Sequence, residues 1–176
     1  HGLRVFDVEE LSTHGGSLRV YACRAEDQTR QLQATVTKVL ADEEKAGLAS
    51  PAGYVHFAQQ VKETKRAFLE FLIQAAREGR SVAGYGAPGK SATLLNYCGI
   101  GTDFIEYTVD RSPYKQGRYL PGSHIPIYHP HWIRETKPDY VVILPWNLKD
   151  EITEQLQFIR EWGGRFVVPI PRVTVY

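Results

Sequence analysis

Methionine is absent from the 176-residue chain and cysteine is nearly so, with only Cys23 and Cys98 present. Two thiols that far apart make neither a disulfide framework nor a metal knuckle. No apolar run approaches the ~18 residues that a membrane span requires, and no basic stretch leading into an apolar one opens the chain. Neither sign of charge is in excess, since 21 Lys+Arg against 20 Asp+Glu leave a net charge of +1. Without a basic block there is no electrostatic ground for a nucleic-acid partner, and the neutral chain gives none for a membrane surface. What is present is ordinary for a folded protein: 43% of residues are hydrophobic and 23% charged, too apolar for disorder. The expectation is a soluble, cytoplasmic protein of one domain, or one domain with an appendage. Because the chain opens at His1 and holds no Met, we read it as a piece excised from a longer polypeptide.

Three regions follow from the patterning. Residues 1–26 contain two β-rich runs, Leu3–Val8 and Ser17–Cys23, on either side of His14-Gly15-Gly16, which predicts a hairpin. A lone two-stranded hairpin is marginal in water, so it must lean on something else. Residues 27–79 predict two helices. The first is capped by Asp27 and ends at Gly47, and the second runs from Ser50-Pro51 to Gly79 with Phe57, Val61, Phe68, Leu72 and Ala75 as its apolar stripe. Residues 80–176 alternate strands with helices. Strands are expected at Ser81–Gly86, Phe104–Asp110, Ile125–Ile127, Tyr140–Leu144 and Arg165–Val168, with a helix from Leu148 to Trp162. Five strands joined by helical crossovers predict an α/β fold with a doubly wound, mostly parallel sheet.

The stretch Gly84-Tyr85-Gly86-Ala87-Pro88-Gly89-Lys90-Ser91 joins a strand to a helix, where backbone amides and the helix dipole favour a phosphate. Two templates fit it. As G-x-G-x-x-G, its glycines suit a pyrophosphate, with Asp110 as a ribose-binding carboxylate about 20 residues further on. As G-x-x-x-x-G-K-S, it spells a phosphate-binding P-loop with Lys90 and Ser91 on phosphate and Mg²⁺. The P-loop reading also needs a carboxylate on a buried strand, and the Tyr140–Leu144 strand ends instead in Pro145-Trp146-Asn147. No Tyr stands four residues before a Lys, which removes the short-chain type of hydride-transfer site. Ligands of open parallel sheets sit beyond the carboxyl ends of the strands. Those ends, together with the 114–122 loop and its Lys115, Arg118 and Tyr119, converge on one edge. His124, His129 and His131 lack the spaced carboxylate or Cys that a metal set requires, so no metal site is assigned. His14 tips a glycine turn and is a tentative acid or base.

Taken together, the chain resembles the C-terminal domain of the S-adenosylmethionine-dependent sugar C-methyltransferases. The resemblance runs through His14-Gly15-Gly16-Ser17-Leu18-Arg19, Gly84-Tyr85-Gly86-Ala87-Pro88, Leu94-Leu95-Asn96-Tyr97-Cys98-Gly99-Ile100, Lys115–Gly122 and Pro145-Trp146-Asn147-Leu148. It departs from the family pattern at Gly89 and Ser91, the two residues that create the P-loop match. The resemblance implies a Rossmann-like domain that closes over a nucleotide-linked keto-sugar, commonly a thymidine-diphosphate (dTDP) sugar. The substrate-binding residues it implies are Gly84 to Ser91, Asp110, Lys115, Arg118, Tyr119, Trp146 and Asn147. It also implies that S-adenosyl-L-methionine is held by an upstream methyltransferase domain and zinc by an N-terminal one. The family's catalytic Tyr-x-Glu-His segment is missing here, as no Glu-His pair occurs. The fragment alone is therefore expected to be inactive, and the opening hairpin is expected to be the tail of the upstream domain's sheet.

Overall fold

Alternating apolar and polar residues draw Leu3–Leu11 (β1) and Ser17–Arg24 (β2) into an antiparallel hairpin, with an irregularity between Val5 and Asp7. Its turn is a short 3-10 segment, Thr13–Gly15, followed by Gly16, and His14, Gly15 and Gly16 all take positive φ. The computed structural model describes all 176 residues and divides them into two compact units, His1–Gln59 and Gln60–Tyr176.

In the first unit the predicted helix starts late, at Ala34, and ends at Lys45 (α1). Asp27 does not cap it. The Asp27 carboxylate instead accepts the amide and hydroxyl of Thr29 in a local turn, the competing use that short polar side chains offer. Residues up to Gln33 then run along β1, where the Gln33 amide donates to the Phe6 carbonyl. Thr35 and Lys38 of α1 bond to Asp7 and Glu10 of β1. The second predicted helix is also interrupted. Pro51–Tyr54 forms a 3-10 turn, and the α-helix proper runs from Phe57 to Arg77 (α2).

The second unit is built on a sheet of Val82–Tyr85 (β3), Thr108–Val109 (β4), Ile127–Tyr128 (β5), Tyr140–Ile143 (β6), Arg165–Val168 (β7) and Thr174–Val175 (β8). Its spatial order is β5-β4-β3-β6-β7-β8. The first five strands are parallel, and β8 returns antiparallel to β7. The sheet thus has six strands rather than the five expected. The sixth is only two residues long and follows Pro169 and Pro171, so it leaves almost no periodic signal. Gly89–Cys98 (α3) joins β3 to β4, Trp132–Thr136 (α4) joins β5 to β6, and Lys149–Gln155 (α5) joins β6 to β7.

Continuous apolar strands bury both faces, as a parallel sheet demands. Val82, Val142, Leu144 and Val167 pack with Phe68 and Leu72 of α2 and Leu94 and Leu95 of α3. Ala83, Tyr85, Val141, Ile143 and Phe166 pack with Ile133 of α4 and Ile152 of α5. Several elements are shorter than or shifted from their expected spans, Ser81–Gly86 to Val82–Tyr85 and Ile125–Ile127 to Ile127–Tyr128 among them. Phe104 and Ile105 turn onto the Gly101 carbonyl, leaving only Thr108–Val109 as strand. The last helix breaks at Leu156, beyond which Gln157–Trp162 is 3-10. The 114–122 loop is partly ordered against β5: Gly117 donates to Ile127, Ile127 to Arg118, and Leu120 to Ile125. That return covers the outer edge of the sheet, which would otherwise present unpaired backbone.

Candidate ligand site at the strand ends

Glycine at position 84 is set by the neighbouring strand. A Cβ there would stand 2.8 Å from the Thr108 hydroxyl oxygen. Thr108 is fully buried and donates that hydroxyl to the Gly86 carbonyl at 2.9 Å. Gly86 takes φ +87°, and a Cβ on it would stand 2.6 Å from Cδ of Pro145 at the end of β6. The two crossover loops after β3 and β6 are therefore in van der Waals contact where the strand order reverses. Gly89, by contrast, has no heavy atom within 4 Å of where its Cβ would be.

Asp110, at the end of β4, points back at the glycine loop. Its Oδ2 accepts the Ala87 amide at 2.7 Å and the Lys115 ammonium at 3.1 Å, while its Oδ1 accepts the Ser112 amide at 2.8 Å. Gln116 also donates to the Asp110 carbonyl at 2.9 Å. Burial pushes the Asp110 carboxyl upward, but the Ser112 and Ala87 amides and Lys115 outweigh it and hold it below the usual carboxylate range.

Lys90, in the first turn of α3, takes the opposite direction. Its ammonium lies 4.3 Å from the Trp146 ring centroid and donates to Asn147 Oδ1. It forms no salt bridge, and loss of hydration lowers its pKa. Pro88, the residue before α3, supplies no side-chain cap, so the amides of the first turn have no carboxylate or hydroxyl of their own. A partly desolvated cation at the positive end of a helix, beside an indole and a carboxamide, can take an anion carrying a ring or hydroxyls.

The structure thus gathers the candidate residues into two clusters, Ala87–Asp110–Lys115 and Lys90–Trp146–Asn147. Tyr85 is buried in the far core, with its hydroxyl 3.4 Å from Gln155 Oε1. Ser91 is fully buried, and its hydroxyl donates to the Pro88 carbonyl at 2.6 Å; this occupies the group a P-loop would turn to Mg²⁺. Arg118 and Tyr119 lie on the return strand. Tyr119 bridges to Pro126, level with Tyr107 and about 10 Å short of Asp110 along the sheet. His14 is exposed at the hairpin turn of the first unit. His129 accepts the His131 amide and His131 faces Glu135; no three His, Cys, Asp or Glu side chains are grouped to hold a metal. Sequence reasoning placed Ser112 at a strand end without a role and gave none to Thr108 or to the exposed Arg111–Glu151 pair, 3.8 Å apart between the β4 end and α5. The Asp110-x-Ser112 spacing is a turn signal that would have revealed Ser112.

The glycine loop and the facing β6 loop thus meet at the order reversal of a mostly parallel sheet, the position where open α/β sheets carry their ligands. Residues 12–171 match the family described as C-methyltransferase C-terminal domain, and the chain belongs to that family. It is 39% identical over 175 residues to the C-methyltransferase NovU of Streptomyces niveus, an alignment covering 99% of this chain and 41% of that protein. The chain thus spans about two fifths of that relative's length. Among solved structures, the UDP-D-quinovosamine 4-dehydrogenase of Vibrio fischeri is similar to 53% of this chain and 79% of its own, with 22% identity and a TM-score of 0.39. No helix is long and apolar enough to cross a membrane.

Proposed function

We propose that this chain is the C-terminal domain of an S-adenosylmethionine-dependent enzyme that methylates a carbon of a nucleotide-linked keto-sugar, and that it holds the nucleotide-sugar at the strand-end mouth. The observation that carries this reading is the alignment of nearly the whole chain with a C-methyltransferase. Counted from β3, the strand order is 3-2-1-4-5-6, which supports a Rossmann-like sheet with its crevice between β3 and β6. There the Lys90 ammonium and the first amides of α3 face the diphosphate, Trp146 offers a ring face, and Asn147 offers a carboxamide to hydroxyls. Asp110 and Lys115 brace the loop beside them, with Arg118 and Tyr119 further out along the edge.

The residues present do not fit the methyl donor. The carboxylate that would take its ribose hydroxyls, Asp110, is bonded to the protein's own amides. Donor binding and proton abstraction are assigned, with the resemblance, to upstream sequence, as is zinc. The hairpin unit extends the upstream sheet in this reading, supported by Leu18 and Val20, which leave about half their surface exposed on β2.

A thermal-shift panel tests the reading. Thymidine diphosphate should raise the melting temperature of this chain without Mg²⁺, and Lys90→Ala should abolish the shift. ATP gaining affinity with Mg²⁺, stabilisation by S-adenosylmethionine alone, or methyl transfer to a keto-sugar by this chain alone would each refute it.

A further inference from the structure

The three glycines that spell the dinucleotide pattern all have reasons internal to the protein, or none at all. Gly84 clears Thr108, Gly86 clears Pro145, and Gly89 clears nothing. A dinucleotide site of this kind requires loop amides free for the pyrophosphate and a strand-end carboxylate free for two ribose hydroxyls. Here one requirement has consumed the other. The Ala87 amide donates to Asp110 Oδ2, and both carboxylate oxygens already carry donors from Ala87, Ser112 and Lys115. A phosphate on the Ala87 amide would meet a like charge at hydrogen-bond distance, a repulsive placement in a partly buried site.

We propose that Asp110 is a positioning residue: it clamps the Gly86–Pro88 loop to the Ser112–Gln116 loop and, by occupying the Ala87 amide, bars a dinucleotide from the glycine turn. The clamp has further support. Thr108 holds the Gly86 carbonyl from β4, and Gln116 holds the Asp110 carbonyl from the loop beyond. The charged groups around the carboxylate are Lys115, bonded to it, and Arg111, next in the chain and engaged with Glu151 of α5. This assignment stands whether or not the nucleotide-sugar reading does.

Backbone amide NMR of the whole chain tests it. The Ala87 and Ser112 resonances should titrate together with one carboxyl group, and NAD⁺ at millimolar concentration should leave both unmoved. In Asp110→Asn, which keeps one acceptor oxygen and replaces the other by NH2, hydrogen exchange at the Ala87 or the Ser112 amide should accelerate by about tenfold, the loss of one charge-assisted bond, while Val142 in β6 stays unchanged. Movement of the Ala87 resonance by NAD⁺, or exchange unaltered in the variant, would overturn the proposal. If Asp110→Asn does not fold, the titration and the NAD⁺ result on the unaltered chain still decide.

Discussion

Gly86→Ala is the sharpest perturbation this structure offers, because two separate costs fall on one methyl group. The backbone at Gly86 has φ +87°, where an L side chain costs about 1–2 kcal/mol. The added Cβ would also stand 2.6 Å from Pro145 Cδ and 2.9 Å from Pro145 Cγ. A proline ring cannot rotate away, so relief must come from the backbone of one loop or the other, an overpacking cost of about 1–3 kcal/mol. Together the loss is about 3 kcal/mol, a large share of a typical stability of about 5–15 kcal/mol. Gly89→Ala is the internal control, three residues away. Nothing lies within 4 Å of its Cβ and its φ is not positive, so Ala there should be neutral or gain up to about 1 kcal/mol through the unfolded state. Urea denaturation followed by circular dichroism reads both, and at about 3 °C per kcal/mol the first variant should melt ~10 °C lower. If Gly86 served a bound pyrophosphate instead of its contact with Pro145, the apo protein would pay only the backbone cost of about 1–2 kcal/mol. A loss no larger than that, or a Gly89→Ala loss equal to that of Gly86→Ala, refutes the assignment.

Two further outcomes follow from the same structure. Asp139 joins the start of β6 to the start of β3, accepting from the Ser81 amide and hydroxyl and from Arg80, each at 2.9 Å. The Ser81 amide is the main reason its carboxyl lies below the usual range. A lowered folded value means that this stabilisation is complete above the unfolded pKa of about 3.9 and is lost as pH falls through the folded value. Asp139→Asn should therefore cost about 1 kcal/mol at pH 7 and little at the acid end, so urea midpoints for parent and variant that stay equally separated at both ends contradict the linkage. Cys98 is 3% exposed, and burial raises its thiol pKa; Cys23 is partly exposed. A thiol reagent should modify one cysteine in the native chain and the second only after denaturation, so two equally fast modifications would show that the α2–α3 packing is wrong.

Where one physical signal dominated, the fold was legible from the residues. Tyr140–Leu144 is a β-branched run with no polar residue, and it forms a strand buried on both faces within one residue of the expected span. Arg165–Val168 follows a Gly-Gly stop and matches end for end. Legibility fails where two local options compete. Asp27 can cap a helix or close a turn on Thr29, and the contact of Gln33 with β1 decides for the turn, seven residues before the helix begins. Phe104–Ile105 has strand composition, but Gly101 lets the chain turn and take both amides on its carbonyl. The first choice depends on a partner distant in sequence, which periodicity does not contain, and the second on a local turn that competes with strand composition.

The site separates these limits more finely. Glycine spacing correctly located a strand–helix crossover, because any tight turn there needs a residue without Cβ. It carried no information about what occupies the space so created. A pyrophosphate, a proline ring and a threonine side chain all exclude a methyl group equally well, and at Gly86 and Gly84 the protein itself places Pro145 and Thr108 there. Likewise, a carboxylate at the end of the next strand is placed by the fold, yet its direction depends on Ser112 and Lys115 beyond it. A motif of this kind is therefore evidence for a turn first and for a ligand second. The discriminating feature is whether the protein leaves its loop amides and its carboxylate unpaired. In this chain they are paired with each other, while Lys90, which has no carboxylate partner, lies against Trp146 and Asn147. In the proposed reading a diphosphate is drawn to the Lys90 side of the mouth, because the Asp110 carboxylate is already paired with Lys115 and bonded to the Ala87 and Ser112 amides.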